Sequence, residues 1–465
     1  MMELVKILVS LAGYFAVGPA LGLIAAQHRR IEDGLLLAMV FATGLHIDHT
    51  VVMGGSIEWY RGVTKGYEFT VMEILAIALI VCRLCHASRD GFVWLPAGTL
   101  TWSAYVFASS LSILSAVDPN LVLMSIFKFG KAWLLAFAIC NYARDEERVH
   151  VFLTALCAML GWQWVVVMKM KFIDGYYQVR GLFEHQNPLA MFTYMAALPL
   201  LSAALSPATS RIRSLIYLAT FGASGLIVLA SLSRAALAFF ALGTVATVAW
   251  GFVDRFTLRR IGAVAAMAAG GLVILAFTVD TIFARFNDEG NEASGETREV
   301  MNQASAAMLR ENPLGIGWNG FGKAINRPYH YGNVIDDWNR QRGHRVDPNY
   351  AKGVVESHYW LLLAETGYAG LITYLIFITG ILLRAGWMVL RCRGALAGAL
   401  AAGIVVAFGA TYVHSTLERV LTQTKNLALW LMLTGLVAAL WHQHAQRSRR
   451  RSEERRVGKE CPSPC

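Results

Sequence analysis

Residues 188–206 read PLAMFTYMAALPLLSAALS, a stretch without a single charged side chain. A helix needs about 20 apolar residues to cross the hydrocarbon core of a bilayer, so this stretch predicts a membrane-spanning helix. Comparable runs recur along nearly the whole chain, at 4–26, 34–53, 69–84, 92–115, 120–141, 149–168, 188–206, 213–231, 235–253, 261–280, 358–391, 396–415 and 426–442. We therefore predict an all-α polytopic membrane protein with about 12–13 transmembrane helices. The lower number applies if the first run breaks at Gly18-Pro19 and only dips into the membrane.

The composition of the 465-residue chain agrees with this class. It is 56% hydrophobic and 15% charged, whereas an average globular chain is roughly 25% charged. These values exclude a cytosolic globular protein, a fibrous protein and a nucleic-acid binder. The 7 cysteines lie in or beside apolar runs or in the C-terminal tail, so we interpret them as small packing residues rather than as a disulfide or metal framework.

Basic residues cluster in alternate connections between the apolar runs, and this arrangement predicts the orientation. Positive clusters mark the cytoplasmic side of a membrane protein. The long polar stretch after Phe283 is then expected to face outward. The net charge of +10 fits this sorting and implies no nucleic-acid partner. The predicted division is a transmembrane bundle (1–280), a large, partly helical periplasmic loop (281–357), C-terminal transmembrane helices (358–446) and a basic tail (447–465) that carries no functional argument.

Arg234 follows Ser233 at the tightest outward joint of the chain, Ser231-Leu-Ser-Arg234. Ser233 is a natural N-cap, which makes Arg234 the first residue of a helix. A cation at a helix N-terminus opposes the helix dipole, but the position is favourable if an anion binds there to the guanidinium and the free backbone N–H groups. The alternative is an interfacial arginine that reaches toward lipid headgroups.

Arg298 and His358 occupy similar predicted positions. Thr297 is expected to cap a helix that runs to about Arg310, which places Arg298 in its first turn. His358 follows Ser357 at the outward start of an apolar run, where the helix dipole favours the neutral imidazole that a general base requires. An ordinary loop arginine and a structural interfacial histidine are the alternatives.

Two arginines and a neutral histidine on one side of the membrane predict a shared pocket: a diphosphate clamp with a base. Arg180, which precedes the seventh run, is expected to add to the anion site. This chemistry needs neither a metal nor a cofactor. Lys128 and Lys131 lie about one turn apart inside the fifth run, where a functional role and snorkelling toward the interface are both open.

Four stretches of sequence, taken in order, resemble the O-antigen ligase/polymerase superfamily of membrane glycosyltransferases. They are Arg180-Gly-Leu-Phe-Glu-His-Gln-Asn187-Pro188, then Ser231-Leu-Ser-Arg234, then Arg298 followed by Asn312-Pro-Leu-Gly-Ile-Gly-Trp-Asn-Gly-Phe, and finally His358-Tyr-Trp-Leu-Leu-Leu-Ala-Glu-Thr-Gly367-Tyr-Ala-Gly370. The long outward loop between late helices matches as well. The Gly315-x-Gly-x-x-Gly320 pattern within this set lacks the strand that a dinucleotide fold requires, so we interpret it as a glycine-rich turn.

The resemblance implies metal-independent, inverting transfer of a glycan from a polyprenyl-diphosphate carrier to an acceptor hydroxyl, at the periplasmic face of the inner membrane. It further implies that Arg234 and Arg298 hold the diphosphate and that His358 deprotonates or orients the acceptor. The expected partners are the lipid-linked donor, a lipid or glycan acceptor and membrane lipid.

The sequence does not separate a ligase from a polymerase, because both need the same clamp and base. The acceptor groove is expected within 299–357, where the aromatic residues suit either stacking on sugars or packing: Trp318, Tyr329, Tyr331, Trp338 and Tyr350. A transporter of lipid-linked sugars or small anions is the competing class, with Lys128, Lys131 and Glu73 as its candidate charges. A non-catalytic assembly subunit is the third.

Overall fold

The computed structural model describes residues 2–45, 48–51, 62, 64–254, 257–286, 290–347 and 351–460. Helices dominate, and β1 (Asp48–Val51) pairs with β2 (Tyr67–Thr70) in an antiparallel hairpin. The helices of the first third are α1 (Met2–Ala12), α2 (Gly18–Ala25), α3 (Arg29–Ala42), α4 (Val71–Cys85), α5 (Ala87–Asp90) and α6 (Thr99–Ser110). A π-helical segment, Gly13–Val17, joins α1 to α2 without a break.

The central and C-terminal parts hold the longer helices. They are α7 (Pro119–Tyr142), α8 (Glu146–Met168), α9 (Gln186–Leu205), α10 (Arg211–Ser231), α11 (Arg234–Asp254), α12 (Leu258–Phe286), α13 (Gly290–Glu311), α14 (Phe321–Ala324), α15 (Asn333–Gln341), α16 (His358–Arg391), α17 (Leu396–His414) and α18 (Thr424–Glu460). Short irregular helices follow α6 (Leu111–Ser115), α8 (Lys169–Ile173) and α17 (Val420–Thr422).

Within the described residues, nine helices are long and apolar enough to cross a membrane. They are Val5–Ala25, Pro119–Tyr142, Glu146–Ile173, Gln186–Leu205, Arg211–Ser231, Arg234–Asp254, His358–Arg391, Leu396–His414 and Thr424–Ser448. The predicted class, an all-α polytopic membrane protein, is confirmed.

The remaining predicted spans differ from these nine in length. The predicted runs 34–53, 69–84 and 92–115 overlap α3, α4 and α6, which have 14, 15 and 12 residues. Each helix is shorter than the ~20 residues of a single crossing. The second half of the run 34–53 was predicted wrongly, because α3 ends at Ala42 and residues 48–51 form strand β1. The predicted run 261–280 lies on α12. A count of 12–13 therefore depends on these shorter helices together with α12. The first run does not break at Gly18-Pro19, because it is helical from Val5 to Ala25.

The stretch 188–205 forms the centre of the bundle. Every residue of α9 from Pro188 to Leu205 is buried, and the helix packs against α10, α11 and α17. A helix that is apolar on all sides is buried on all sides. The N-terminal end of α9 is therefore held rigidly among its neighbours.

We call the end of the bundle at which α7, α9, α11, α16 and α18 begin the loop face, because the chain between α13 and α16 packs there. The Ile316 carbonyl accepts a hydrogen bond from Val117 N at 2.9 Å, just before α7. Trp318 N donates to Ser112 Oγ at 3.0 Å. Phe321 N donates to Glu365 Oε1 at 3.1 Å. The predicted outward loop is thus a packed cap on one end of the bundle.

The glycine-rich turn docks onto a kink in α16. Gly315 and Gly317 have φ values of +87° and +100°, and Gly367 inside α16 has a φ of +62°. A Cβ atom on Gly315 would collide with the carbonyl oxygen of Glu365. Only residues without a side chain allow the two backbones to approach this closely, so the interpretation as a turn is confirmed.

Lys128 and Lys131 form buried ion pairs. Lys128 Nζ lies 3.2 Å from Glu68 Oε1, and Lys131 Nζ lies 2.7 Å from Glu73 Oε1. The side chains of all four residues are at most 10% exposed. Thr424 Oγ1 also donates to Glu68, at 2.5 Å. The lysines therefore do not reach toward headgroups, and their charges are balanced near the middle of α7, beside the starts of α4 and α18.

Candidate active site

His358 begins α16, as predicted, and its backbone is tied to the end of α17. His358 N donates to the Ser415 carbonyl at 2.9 Å. The His358 side chain is 2% exposed, and neither ring nitrogen has a hydrogen-bond partner among the described residues. Its ring centroid lies 5.1 Å from that of Tyr374. Ser357 is the N-cap residue, although its side chain makes no capping hydrogen bond.

Arg298 does not lie in the first turn of a helix. Helix α13 begins at Gly290, which places Arg298 in its interior, and the prediction that Thr297 starts the helix is wrong. Residues 290–296 continue the helix despite their Gly, Ser and Asn content, so the cap signal at Thr297 did not decide the boundary. The free N–H groups of a helix start are therefore not available beside Arg298, and its anion-binding capacity comes from the guanidinium alone.

The guanidinium of Arg298 bridges two carboxylates. Its Nε lies 2.5 Å from Glu356 Oε2, and its Nη2 lies 3.3 Å from Glu418 Oε1. Glu356 stands two positions before His358, and Glu418 lies one turn after Ser415, the residue that His358 N contacts. These links bring Arg298 and His358, which are distant in sequence, into one neighbourhood.

Glu418 is the most enclosed acidic group of this neighbourhood. Its side chain is 14% exposed, and Oε1 also accepts a hydrogen bond from Asn187 Nδ2 at 2.6 Å. Burial first, and then repulsion by Glu356, raise the pKa of Glu418 to about 7, against the opposing effects of Arg298 and Arg419. Glu418 therefore changes charge near neutral pH.

Arg234 begins α11, as predicted, and only two residues separate it from the end of α10. Leu232 takes a left-handed conformation in this joint, with a φ of +53°, and the Ser233 carbonyl accepts from Leu237 N at 2.9 Å. Five residues further along α11, the Phe239 ring stacks on the His414 ring at 5.1 Å. Five residues rise ~7.5 Å along a helix, so Arg234 lies on the loop face close to the end of α17.

Arg180 stands apart from this cluster. Its side chain is exposed, and its Nη1 contacts the Glu184 carbonyl at 3.5 Å. Helix α9 begins at Gln186 with His185 as its N-cap, slightly before the predicted start at Asn187-Pro188. Asn187 is thereby free of a capping role, and its side chain reaches Glu418. Burial lowers the pKa of His185.

A cavity of about 650 Å³ adjoins Arg298 on the loop side. Its walls come from α13, α15 and the segment that leads to α16: Thr297, Arg298, Met301, Ile335, Asp336, Asn339, Arg345, Val346, Asp347, Lys352, Gly353, Val354 and Glu356. Lys352 Nζ and Asp336 Oδ1 form an ion pair at 2.9 Å in this wall. Acidic and basic side chains alternate there beside apolar ones, so the cavity suits a molecule with both hydroxyl groups and apolar faces, without a strong preference for one sign of charge.

The aromatic residues of the loop serve mainly in packing. Trp318 is 2% exposed and its ring lies 4.6 Å from that of Phe129. Tyr331 is also buried, and Trp338 lies beneath the Arg342 guanidinium at 4.6 Å. Tyr350 lies outside the described residues. Of the two roles that the sequence left open for these rings, packing applies to Trp318 and Tyr331.

Sequence reasoning missed three charged members of the cluster: Glu356, Glu418 and Arg419. Arg419 Nη1 donates to the Val354 carbonyl at 3.1 Å. The sequence did mark two of them as candidates, because Glu418-Arg419 is a charged pair in a short connection between two apolar runs. A single sequence, however, offers no way to pair Glu418 with Arg298.

A comparison with protein families identifies a related segment of the sequence. A family model described as O-antigen ligase matches residues 219–375. The matched segment contains Arg234, Arg298 and His358, whereas Arg180 and Glu418 lie outside it. A search of curated proteins gave no match. The resemblance to the O-antigen ligase superfamily is confirmed over this segment, and it supports an enzyme of the ligase or polymerase type.

Proposed function

We propose that this protein is an inner-membrane glycosyltransferase that moves a glycan from a polyprenyl-diphosphate carrier to an acceptor hydroxyl at the periplasmic face. The product is a lipopolysaccharide or another surface polysaccharide. The observation that carries the proposal is the position of Arg298, which lies between the 650 Å³ cavity and the start of α16 at His358. A guanidinium at this point can hold a diphosphate beside a polar space for an acceptor.

Arg298 and Arg234 supply the positive charge of the proposed site. In the reaction the bond between the anomeric carbon and the diphosphate oxygen breaks, and the electron pair leaves with the diphosphate. Preorganised guanidinium groups stabilise that developing charge, most strongly where water is excluded. The placement of both arginines on the loop face allows the lipid tail to remain in the membrane while its headgroup reacts.

His358 is the proposed group that accepts or orients the acceptor proton. Buried polar atoms are normally hydrogen-bonded, so two unpartnered ring nitrogens in a buried histidine call for an explanation. An acceptor hydroxyl that donates to one of them supplies it. The hydroxyl oxygen then attacks the anomeric carbon from the face opposite the departing diphosphate, which inverts its configuration. The enclosed ring requires that the acceptor uncover His358 when it binds.

The cavity is the proposed acceptor site. Its walls combine charged side chains of both signs, which can bind hydroxyl groups, with apolar surface, which can pack against the C–H faces of a sugar. Most of its lining residues belong to the segment 299–357, where the acceptor groove is expected. A ligase places lipid A core or another final acceptor there, whereas a polymerase places a second lipid-linked repeat. Transport remains the weaker alternative, because its candidate charges, Lys128 and Lys131, are already balanced by carboxylates.

Complementation in cells that lack their own transferase tests the proposal. Arg234→Ala, Arg298→Ala and His358→Ala should each abolish surface glycan at unchanged protein level. Arg234→Lys should also fail, because an ammonium cannot pair bidentately with a diphosphate. Arg211→Lys is the matched control, since Arg211 also begins a helix but is exposed at the opposite end of the bundle.

The location of accumulated donor separates the alternatives. In His358→Ala cells a transferase leaves the lipid-linked glycan at the outer leaflet, whereas a transporter leaves it inside. Normal surface glycan in all three alanine variants would assign the chain to the non-catalytic class. The chain-length distribution of the wild-type product then distinguishes a polymerase from a ligase. Transfer by purified enzyme in excess chelator tests independence from metals.

A further inference from the structure

We propose that Glu418 occupies the diphosphate site in the absence of donor, and that the donor displaces its carboxylate from Arg298. This inference rests on the proposed function, because it takes the diphosphate of a lipid-linked glycan as the ligand of Arg298. It adds a residue that neither the sequence motifs nor the family match includes. Glu418 acts in it as a positioning residue: it holds Arg298 and does not touch the reacting carbon.

The first support is the geometry of the Arg298 contacts. Glu356 Oε2 and Glu418 Oε1 lie 2.5 Å and 3.3 Å from two different nitrogens of the guanidinium. Two carboxylates on one guanidinium present the same kind of oxygens that a diphosphate presents. A diphosphate cannot pair fully with Arg298 until at least one carboxylate moves away.

The second support is the difference between the two carboxylates. The Glu356 side chain is 46% exposed, so it can swing into water at little cost. The Glu418 side chain is 14% exposed and is also held by Asn187. A displaced Glu418 remains enclosed, and an enclosed carboxylate without its cation is strongly disfavoured unless it binds a proton.

The charged and titratable groups around Glu418 agree with this exchange. They are His185 at the start of α9, Arg298 on α13, Glu356 before α16, His414 at the end of α17 and Arg419 beside Glu418. Asn187 adds a neutral hydrogen-bond donor. Two arginines face two glutamates, so the site is balanced before the donor arrives. A diphosphate diester brings two further negative charges. Protonation of Glu418 removes the negative charge of its carboxylate and so offsets one of those two.

The sign of the pH dependence follows from the two states of Glu418. Without donor, its pKa is about 7. With donor bound, Glu418 loses Arg298 and gains a nearby anion, and both changes raise its pKa further. Donor binding therefore takes up a proton. Donor affinity is expected to be constant below pH 7 and to fall by up to about tenfold per pH unit above it, until the higher pKa is passed.

The experiment measures the Kd of purified full-length protein in nanodiscs for synthetic farnesyl-diphospho-N-acetylglucosamine between pH 5.5 and 8.5. Both phosphates of this probe are diesters, so the ligand itself does not titrate near pH 7. The wild type should lose affinity above pH 7. Glu418→Gln should bind with a pH-independent Kd, at least about tenfold tighter than the wild type at pH 8.5 and similar to it at pH 5.5. Calorimetry in buffers of different ionisation enthalpy should detect proton uptake near pH 7.5 only in the wild type.

Two further variants make each outcome decisive. Glu356→Gln, the matched exposed carboxylate, should bind the probe more tightly at pH 5.5 and keep the wild-type slope. The fall in affinity should begin at a lower pH, because the repulsion that raises the pKa of Glu418 is lost. Glu418→Asp retains a titratable carboxyl group, so it should keep the pH dependence of the Kd and the proton uptake. It replaces Glu418→Gln as the test if Glu418→Gln does not fold. A slope unchanged by Glu418→Gln, or absent from the wild type and Glu418→Asp, overturns the inference. If Arg298→Ala binds the probe with the wild-type Kd, the proposed function itself is overturned. That result concerns the affinity of one variant, so it can be told apart from an unchanged pH dependence in Glu418→Gln.

Discussion

The carboxylate of Glu418 lies 3.3 Å from the guanidinium of Arg298, although 120 positions separate them in the sequence. This contact joins α13 to the connection between α17 and α18. Glu356, on the other side of the same guanidinium, leads directly to His358. Arg298 of the proposed clamp and the proposed base, His358, are therefore parts of one connected network on the loop face.

Arg298→Lys is expected to slow glycan transfer about 100-fold, because an ammonium offers neither the forked geometry nor the delocalised charge of a guanidinium. The measurement is the initial rate of transfer from a lipid-linked donor in proteoliposomes. Arg310→Lys, an exposed position on the same helix, should retain the wild-type rate. A wild-type rate in Arg298→Lys would remove Arg298 from the clamp.

His358→Ala is expected to lower kcat by about 10²- to 10⁴-fold while leaving donor affinity unchanged, since general-base catalysis acts on the acceptor and not on the diphosphate. Single-turnover transfer and a separate donor-binding measurement distinguish the two quantities. His344→Ala, an exposed histidine of the loop, serves as the control. A loss of donor binding in His358→Ala would instead assign His358 to the packing of the site.

Breaking the Lys128–Glu68 pair is expected to destabilise the protein by about 3–5 kcal/mol, because Lys128→Met leaves Glu68 enclosed without its counter-charge. The Lys128→Met/Glu68→Gln double variant should recover much of that loss, since no unpaired charge remains. Thermal unfolding in detergent at one scan rate compares the variants. Equal stability of the two variants would show that the Lys128 charge does not stabilise Glu68.

The fold was predictable from local sequence, whereas the site was only partly so. An uncharged stretch such as 188–206 has one stable arrangement in a membrane, a helix, so its prediction needed no partner. The starts of α11 and α16, at Arg234 and His358, were predicted because Ser-Arg and Ser-His mark the edge of an apolar run. Thr297 carried the same local signal and misled, because the helix already begins at Gly290.

The contacts of Arg298 could not be predicted, because each depends on packing between distant segments. Glu418 and Asn187 come together only where the C-terminal end of α17 meets the N-terminal end of α9. The enclosure of His358 likewise depends on Tyr374, which the kink of α16 at Gly367 brings back against the His358 ring. A sequence identifies which residues carry charge at a membrane boundary, and tertiary packing decides which of them face one another.

Gly315→Ala is expected to lower the apparent Tm, while Gly386→Ala should leave it unchanged or raise it slightly. Gly315 has a φ of +87°, and a Cβ there would meet the backbone of Glu365 at the kink of α16. Strain of this kind costs about 1–3 kcal/mol. Gly386 lies in the regular part of α16 with open space around its Cβ position, where alanine favours the helix by roughly 0.5–1 kcal/mol. Thermal unfolding at a fixed scan rate measures both shifts. If Gly315→Ala unfolded at the wild-type temperature, close docking of the turn against α16 would not be what holds the loop on the bundle, and the position of Arg298 would have to be explained by other contacts.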